Sequence, residues 1–253
     1  KRMNDKVKLF GDLHVPGDPL ILYNIWDAGS AKAVSEAGAK AIATGSWGVA
    51  CSLGFKDGET LPIDAALANL ERILSVTDLP VTIDMEAGYG ADPAAVGASV
   101  SRAAAAGAVG INIEDKDPVT RKLFETPDAA ARIKAAAGSG LWINARADLF
   151  ILTPKEQHDA AVVDAVVERA KAYADSGANS LFVPFIYEAA LIGRLCEKSP
   201  LPVNILVGEG IPDIKALADL GVARISHGHG PWAKAMQDLG EAAKAAMASL
   251  NQG

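Results

Sequence analysis

Short apolar runs follow helix-like stretches at regular intervals along the chain. Four times such a stretch ends at a glycine, and an apolar run begins shortly after it, at Gly38, Gly107, Gly177 and Gly221. Glycine is favoured just past a helix end because, lacking Cβ, it adopts the left-handed conformation that closes a helix. The runs that follow are short and mostly apolar, which is typical of parallel strands covered on both faces. The pattern therefore predicts helices that alternate with parallel strands.

Four further runs of strand length complete this alternation. They cover residues 20–26, 81–84, 141–145 and 203–206. Helical patterns lie near residues 29–37, 62–76, 92–106, 127–137, 156–175, 187–198, 211–220 and 232–248. Eight strands and eight helices, with no linker rich in Gly, Pro or Ser, predict an α/β fold. We expect a single (β/α)8 TIM barrel that forms one domain over residues 1–253. A doubly wound open sheet is the competing architecture.

Composition narrows the class of protein. The 253 residues are 50% hydrophobic and 22% charged, with a formal net charge of -7. These values exclude a disordered chain and argue against nucleic acid or an anionic membrane as a partner. Cys51 and Cys196 are too few for a disulfide framework. The charged start of the chain leads into no apolar run of membrane-spanning length, so we expect no signal peptide, no membrane span and a cytoplasmic location.

Carboxylates cluster at the ends of two neighbouring predicted strands. The active site of a barrel enzyme lies at the C-terminal ends of its strands. Asp84 and Glu86 end the third strand, and Glu114 ends the fourth. Asp84 and Glu86 are two residues apart, so on an extended segment their side chains point to the same side. Three converging carboxylates repel one another unless a cation is present, and such hard oxygen ligands suit Mg2+. A solvated acidic rim is the alternative interpretation.

Arg146 ends the fifth predicted strand and should reach the same mouth of the barrel. A guanidinium there could clamp a substrate carboxylate or stabilise developing negative charge. A structural ion pair with Glu114 or Asp115 is the alternative, and the spacing of these residues does not separate the two.

Polar groups at other strand ends indicate where a substrate could bind. Thr44, Gly45, Ser46 and Trp47 offer hydroxyl and backbone N–H groups that suit a carboxylate, although an ordinary turn has the same composition. Asn204 is the polar residue of the seventh strand. With four histidines in the chain, the spacing His227-x-His229 does not favour a zinc site. Glycines after the seventh and eighth strands match the phosphate loops of many barrels, which supports a phosphosugar enzyme as a second hypothesis.

Four motifs together resemble the phosphoenolpyruvate mutase/isocitrate lyase superfamily, in its phosphonomutase-like branch. They are Leu-Gly-Phe-Lys-Asp at 53–57, Asp-Met-Glu-Ala-Gly-Tyr-Gly at 84–90, Ile-Glu-Asp-Lys at 113–116 and Asn-Ala-Arg-Ala-Asp at 144–148. The resemblance extends from about residue 20 to residue 226. The second and third motifs look like the magnesium-binding signature of that family, with Glu86 where aspartate is more common.

The resemblance implies a Mg2+-dependent enzyme that acts on an α-oxo acid through an enolate. Asp84 would be the most direct metal ligand, with Glu86 and Glu114 binding through water. Arg146 would steady the enolate, and Asp57 would line the site as a further catalytic group beside Glu114. The segment from Thr44 to Trp47 would hold the substrate carboxylate.

Departures from the family motifs bear on the reaction. The stretch 117–123 has neither the Cys-Gly-His of isocitrate and methylisocitrate lyases nor the lysine and asparagine of the mutase gating loop. Pro184-Phe185 stands where those lyases place a glutamate. We therefore expect cleavage of a C–C bond in a small 2-oxo or 2-hydroxy di-acid. Alternatives are a phosphonomutase or phosphonopyruvate hydrolase acting on a phosphonate, and a non-catalytic barrel that binds a 2-oxo acid. The loop 117–126 is expected to act as a lid, and the chain to form a homo-oligomer, dimer or tetramer.

Overall fold

Eight parallel strands form one sheet that curls into a barrel. The structure, a computed structural model, describes residues 2–248. The strands are β1 Leu20–Leu22, β2 Ile42–Ala43, β3 Val81–Asp84, β4 Gly110–Glu114, β5 Trp142–Arg146, β6 Ser180–Val183, β7 Val203–Leu206 and β8 Arg224–Ser226. They lie in the order β1-β8-β7-β6-β5-β4-β3-β2, and each ladder is parallel. This arrangement confirms the predicted (β/α)8 TIM barrel.

Helices alternate with the strands. They are α1 Arg2–Asp12, α2 Ala28–Glu36, α3 Ser46–Ser52, α4 Ile63–Leu74, α5 Pro93–Ala106, α6 Thr126–Ala137, α7 Leu149–Leu152, α8 Ala160–Asp175, α9 Ala189–Lys198, α10 Ile214–Asp219 and α11 Gly230–Ala248, with a 3-10 turn at Lys155–Gln157. The four glycines that predicted helix ends have φ between 89° and 109°. They adopt the left-handed conformation that the pattern indicated.

Some predicted helix starts are wrong because aspartate caps fix them elsewhere. The helix predicted from residue 156 begins at Ala160, after Asp159, whose side chain accepts backbone N–H groups of the first turn. The helix predicted from residue 211 begins at Ile214, after Asp213, which caps it in the same way. An aspartate side chain at this position satisfies an N–H group that the helix itself cannot. The pattern also missed α1 and the short helix α3.

The barrel closes between β1 and β2 without a regular ladder. The backbone N–H of Ile25 donates to the carbonyl of Ala43 at 2.9 Å, and the N–H of Gly45 donates to the carbonyl of Ile25 at 3.1 Å. β1 ends at Leu22 rather than at residue 26 as predicted. These two hydrogen bonds therefore lie beyond the end of β1. Two hydrogen bonds therefore join the first and last strands of the sheet order.

Side chains alternate along each strand, so one set fills the barrel and the other meets the helices. The second set is apolar and fully buried, as at Ile111, Ile143, Ile205 and Ile225. The inner set contains a chain of amides, in which Asn144 Nδ2 donates to Asn112 Oδ1 at 2.8 Å and to Asn204 Oδ1 at 3.0 Å. Arg224 also lies inside, fully buried, and donates to Asn112 Oδ1 at 3.0 Å. Burial lowers the pKa of Arg224 to about 9.

The helix α1 packs on the N-terminal end of the barrel. Its Phe10 is fully buried, and the ring of His14, just beyond the helix, stacks on Trp142 at 4.7 Å between centroids. Burial lowers the pKa of His14 to about 3, so the ring is neutral at pH 7 and Nδ1–H donates to the carbonyl of Phe10. Charged residues dominate the sequence of α1, which hid the few apolar positions that anchor it.

The C-terminal helix α11 extends away from the barrel. Pro231 is its one buried residue, and every residue from 236 to 248 is exposed, including Met236, Leu239 and Met247. Next to β1, the side chains of Ile21 and Tyr23 are also exposed. Within residues 2–248, no helix combines the length and apolar character needed to cross a bilayer.

We predict that Gly90→Ala destabilises the barrel. An added Cβ would lie 2.4 Å from the backbone N of Val96, and backbone cannot move aside as a flexible side chain can, so we expect a loss of about 1–3 kcal/mol in the free energy of unfolding. Urea unfolding measures it. The matched control is Gly240→Ala on α11, where nothing lies within 4 Å of the new Cβ. Equal unfolding midpoints for Gly90→Ala and the wild type would contradict the close packing at Gly90.

Candidate active site

Asp84 ends β3 at the mouth of the barrel, the end formed by the C-termini of the strands. It lines a small cavity there with Thr44, Ser46 and Tyr89. Asp84 Oδ2 accepts the N–H of Ser46 at 3.3 Å, and Oδ1 accepts the N–H of Glu86 at 3.2 Å. Both bonds are long for a charged acceptor. The carboxylate therefore keeps acceptor capacity for another ligand.

Glu86 belongs to a strained turn that also includes Glu59 and Tyr89. Glu86 Oε2 accepts the N–H of Glu59 at 2.6 Å, Glu86 Oε1 accepts the hydroxyl of Tyr89 at 3.3 Å, and Glu59 Oε1 accepts the N–H of Tyr89 at 2.8 Å. The three residues have φ of 57° (Glu59), 49° (Glu86) and 50° (Tyr89). Left-handed backbone costs a non-glycine residue about 1–2 kcal/mol, and the mutual hydrogen bonds hold it in place.

Arg146 lies between two carboxylates at the end of β5. Its Nε and Nη2 donate to Asp148 Oδ1 and Oδ2 at 2.6 and 2.8 Å, and its Nη1 pairs with Glu114 Oε2 at 2.7 Å. Lys116 Nζ joins the cluster, 2.7 Å from Asp148 Oδ2 and 3.3 Å from Glu114 Oε1. Burial opposes the charge of Arg146, but Asp148 and Glu114 outweigh it and raise its pKa. The structural ion pair with Glu114 that the sequence left open is present.

Asp115 is a structural member of the same region. Its carboxylate accepts the hydroxyl of Tyr173 at 2.6 Å, Arg169 Nη1 at 3.1 Å and the backbone N–H of Asp148 at 2.9 Å. These bonds come from α8 and from the loop after β5. Asp115 therefore fixes the backbone of Asp148 rather than facing the mouth, and it does not pair with Arg146.

The predicted carboxylate cradle lies at the start of α3. Thr44 Oγ1 accepts the N–H of Asp84 at 3.0 Å, and Trp47 is 47% exposed at the rim. Asn24, at the end of the first strand, holds this turn: its Nδ2 donates to the carbonyl of Thr44 at 2.9 Å, and its Oδ1 accepts the N–H groups of His227 and Gly228. The ends of strands one, two and eight are thereby tied together.

Asp57 and Asn204 differ in their exposure to solvent. Asp57 is exposed, and its charge contributes to raising the pKa of Asp84 and of Glu86, so it lies beside these carboxylates. Asn204 is fully buried inside the barrel, where its amide bonds to Asn144 and Ser226. Its expected contact with a substrate stays a prediction.

Burial makes it costly to ionise the carboxyl groups at the mouth. Burial raises the pKa of Asp84; burial and the charge of Asp84 raise that of Glu86 to about 8. Burial also raises the pKa of Glu114 to about 7, against the opposing effect of Arg146. Among residues 2–248, no three Asp, Glu, His or Cys side chains stand close enough to enclose a metal ion. The oxygens of Asp84 keep acceptor capacity, and Mg2+ prefers such hard ligands and usually keeps several waters.

A model of the family described as phosphoenolpyruvate phosphomutase matches residues 10–247 of the chain. The chain belongs to this family. It is thus a member of the phosphoenolpyruvate mutase/isocitrate lyase superfamily, as the sequence motifs implied. Named relatives of the family include lyases and an acetylhydrolase, and the chain is an enzyme of the lyase or phosphonomutase type.

Two relatives illustrate the range of similarity within the phosphoenolpyruvate phosphomutase family. An uncharacterized protein of Mycobacterium tuberculosis (strain ATCC 25618 / H37Rv) is 37% identical over 238 residues, which cover 93% of this chain and 88% of that protein. The 2-methylisocitrate lyase of Escherichia coli (strain K12) is 29% identical over 209 residues, which cover 76% of this chain and 69% of that enzyme.

Solved structures agree with the barrel. A structure from Burkholderia cenocepacia J2315, provisionally named a phosphonomutase, has a TM-score of 0.93 and 46% identity, and covers 96% of this chain and 99% of that chain. A phosphonopyruvate hydrolase in complex with oxalate and Mg2+ has a TM-score of 0.82 at 20% identity, and covers 98% of this chain and 88% of that chain. At 20% identity, the likeness shows the fold alone.

Sequence reasoning assigned no role to Glu59, Tyr89, Lys116 or Asp148. Lys116 and Asp148 stood inside recognised motifs, and their pairing across two strands could have been expected from their positions just past β4 and β5. Tyr89 also stood inside the motif at 84–90. Glu59 gave no signal, because a left-handed backbone at a non-glycine residue is not visible in the sequence.

We predict that Asp148→Asn weakens the barrel strongly. The change leaves Arg146 and Lys116 short of a counter-charge in a fully buried position, which should cost roughly 3–5 kcal/mol in the free energy of unfolding. Urea unfolding at pH 7 measures it. Because Arg146 and Lys116 outweigh desolvation and lower the pKa of Asp148, its contribution is lost only as the pH falls through that lowered value.

The control for Asp148→Asn is Asp164→Asn. Asp164 pairs with Arg194 and Lys198, but at the surface, so its loss should leave the unfolding midpoint almost unchanged. Similar midpoints for the two variants would show that the buried cluster does not stabilise the fold.

Proposed function

We propose that this enzyme is Mg2+-dependent and cleaves a C–C bond of a small 2-oxo or 2-hydroxy di-acid through an enolate. The observation that carries the proposal is Arg146, which is held rigidly at a strand end between Asp148 and Glu114. A preorganised guanidinium stabilises the negative oxygen that develops as such a bond breaks.

One nitrogen of Arg146 is available for exchange. Asp148 binds Nε and Nη2, whereas Nη1 pairs with Glu114 alone. A substrate oxygen that takes the place of Glu114 on Nη1 would gain the guanidinium and leave Glu114 with Lys116 as its partner. We assign proton transfer to Glu114, which borders this position, and to Asp57 on the exposed loop nearby.

The substrate carboxylate would lie on the turn formed by Thr44, Gly45, Ser46 and Trp47. The N–H of Ser46 already donates to Asp84, so the turn and the metal-binding carboxylate are adjacent. Mg2+ would be held directly by Asp84 and through water by Glu86 and Glu114, and it would polarise the substrate oxygen as a Lewis acid.

The loop 117–126 is the element that we propose as a lid. It forms a small hairpin with an antiparallel bridge between Lys116 and Leu123, and Asp117 Oδ1 accepts the N–H groups of Val119 and Thr120. The Arg121 guanidinium reaches Gly58, on the loop that carries Asp57. Closure of these two loops would exclude water from the mouth.

The second candidate function is P–C bond chemistry on a phosphonate at the same site. The observation that favours it is the 46% identity to the structure provisionally named a phosphonomutase. A barrel that binds 2-oxo acids without turnover is the third possibility, and the same experiment separates all three.

We predict pyruvate release, without phosphate release, when the enzyme is assayed with Mg2+ on oxaloacetate, phosphonopyruvate and substituted malates. Asp84→Asn should abolish turnover, because the most direct metal ligand is lost, and Asp128→Asn on the exposed face of α6 is the matched control. Phosphate release from phosphonopyruvate would favour the second candidate function. No turnover of any of these compounds would favour the third.

The metal requirement is tested separately by calorimetry. Oxalate, an enolate mimic and the ligand named with Mg2+ in the phosphonopyruvate hydrolase structure, should bind to the wild type only when Mg2+ is present. Equal affinity with EDTA in place of Mg2+ would overturn the metal assignment.

We propose that residues 1–253 form one domain of a cytoplasmic homo-oligomer, a dimer or a tetramer. The two cysteines are free thiols, which suits a reducing compartment. The apolar stripe of α11 (Met236, Leu239 and Met247) is exposed, and a groove of about 380 Å3 beside β1 is lined in part by Ile21 and Val34. A second copy of α11 could cover this groove.

Light scattering during gel filtration tests the assembly. We expect a mass of at least two chains for the wild type and of one chain for Leu239→Lys, since a charge in the apolar stripe would be buried on association. Gln237→Lys, off the stripe, should keep the wild-type mass. A wild-type protein of a single chain's mass would contradict the proposal.

A further inference from the structure

A second pocket opens at the mouth of the barrel, on the side opposite the carboxylates. It has a volume of about 280 Å3. The loops after β6, β7 and β8 supply its lining: Phe185, Tyr187, Leu206, Val207, Gly208, Glu209, Ile211, His227, His229 and Gly230. In the sheet order, β7 and β8 lie four positions from β3 and β4 respectively, which is halfway round an eight-stranded barrel. The pocket and the acidic cluster therefore face each other across the mouth.

The carboxylate cradle connects the pocket with the acidic cluster. The ring of His229, a lining residue, lies 5.6 Å from the ring of Trp47 between centroids. The neighbouring Ser46 donates its N–H to Asp84. A C3 substituent of a 2-oxo acid whose carboxylate lay on this turn could therefore extend past Trp47 toward the pocket.

The lining is suited to hydrocarbon. Leu206, Val207 and Ile211 form its aliphatic part, and Phe185 and Tyr187 its aromatic part. Phe185 is 39% exposed and has φ of 62°, a conformation that bulky residues rarely adopt. An aromatic side chain held in this way beside a pocket is an unusual feature for a plain surface loop.

Charged groups at the pocket do not favour a carboxylate. No lysine or arginine is among the lining residues, and the charged one, Glu209, would repel an anion. Lys155 stands at the edge, but its Nζ lies over the ring of Tyr187, 4.1 Å from the centroid. In this position the ammonium group of Lys155 packs on the aromatic side of the pocket. It is not directed into the pocket, where a carboxylate would need it.

We propose that this pocket is the subsite for a hydrocarbon branch on the substrate, so that the enzyme acts on 2-oxo or 2-hydroxy di-acids whose further substituent is an alkyl or aryl group rather than a third carboxylate. This inference rests on the proposed function, because it places the acid end at the Mg2+ site. A closed apolar cavity of about 150 Å3 holds a benzene ring, so a pocket of about 280 Å3 has room for a propyl, butyl or phenyl group.

Binding of simple 2-oxo acids tests the subsite without requiring turnover. Calorimetry with Mg2+ would compare pyruvate, 2-oxobutyrate, 2-oxopentanoate, 2-oxohexanoate, phenylpyruvate and 2-oxoglutarate, with oxalate as the reference for the metal site. We expect affinity to rise by about fourfold with each added methylene, and phenylpyruvate to bind more tightly than pyruvate. 2-Oxoglutarate should bind more weakly than 2-oxopentanoate, which has the same chain length without the second carboxylate.

The variant Phe185→Arg places a positive charge in the apolar lining of the pocket. We expect it to weaken 2-oxohexanoate and to strengthen 2-oxoglutarate by about fivefold, the upper range for an exposed ion pair, while oxalate affinity stays unchanged. The matched control is Ile214→Arg on α10, which has the same exposed fraction of 39% and does not line the pocket. It should leave the whole series unchanged.

The outcomes separate this inference from the proposed function. If oxalate binds with Mg2+ but the alkyl series is flat, or 2-oxoglutarate is preferred, the hydrocarbon subsite is wrong and the Mg2+ site stands. If oxalate and every 2-oxo acid fail to bind, the proposed function fails, and the subsite with it.

Discussion

A fully buried carboxylate organises the mouth of this barrel. Asp148 binds Arg146 through two nitrogens and Lys116 through a third, and its backbone is fixed by Asp115. Glu114 is the second carboxylate of this cluster, so two carboxylates pair with the two cations Arg146 and Lys116. Asp84 and Glu86 lie outside this set of paired charges, and burial raises the pKa of both. The protein thus separates a neutral, rigid cluster from an acidic one that has capacity for a cation.

The neutral cluster and the acidic cluster differ in how their backbones are held. Arg146 and Glu114 stand at strand ends, where the ladder between β4 and β5 pairs their backbones directly. Glu86 lies in a turn whose left-handed residues depend on one another's hydrogen bonds. Strained backbone of this kind persists only where the surrounding structure holds it, and it is frequent at functional sites. A rigid cluster that holds a guanidinium therefore lies beside a strained segment that holds carboxyl groups.

The barrel could be predicted from sequence because its signals are local. Glycines such as Gly107 and Gly177 mark helix ends by their own chemistry, and the apolar runs after them need no knowledge of the fold. The same holds for Asp84, Glu114 and Arg146, which were expected at strand ends and are found there.

What the sequence did not reveal depends on contacts between distant segments. Glu59 meets Glu86 and Tyr89 across roughly 30 positions of chain, and nothing in the local pattern records that meeting. The short α3 and the helix α1 were missed for a related reason, since their placement depends on what they pack against more than on apolar period. The apolar residues of the loops after β6 and β7 indicated no role in the sequence, because their position opposite the carboxylates is a property of the folded barrel.

The closure between β1 and β2 has a consequence for stability. Among the described residues, two backbone hydrogen bonds and the side chain of Asn24 join the sheet at this seam, and the segment proposed as a carboxylate cradle begins at Thr44, directly on it. A substrate bound on that turn, as proposed above, would contact both margins of the sheet at a junction that has no regular ladder. Binding would then stabilise the barrel wall along this seam, as a ligand does when it binds the folded state alone.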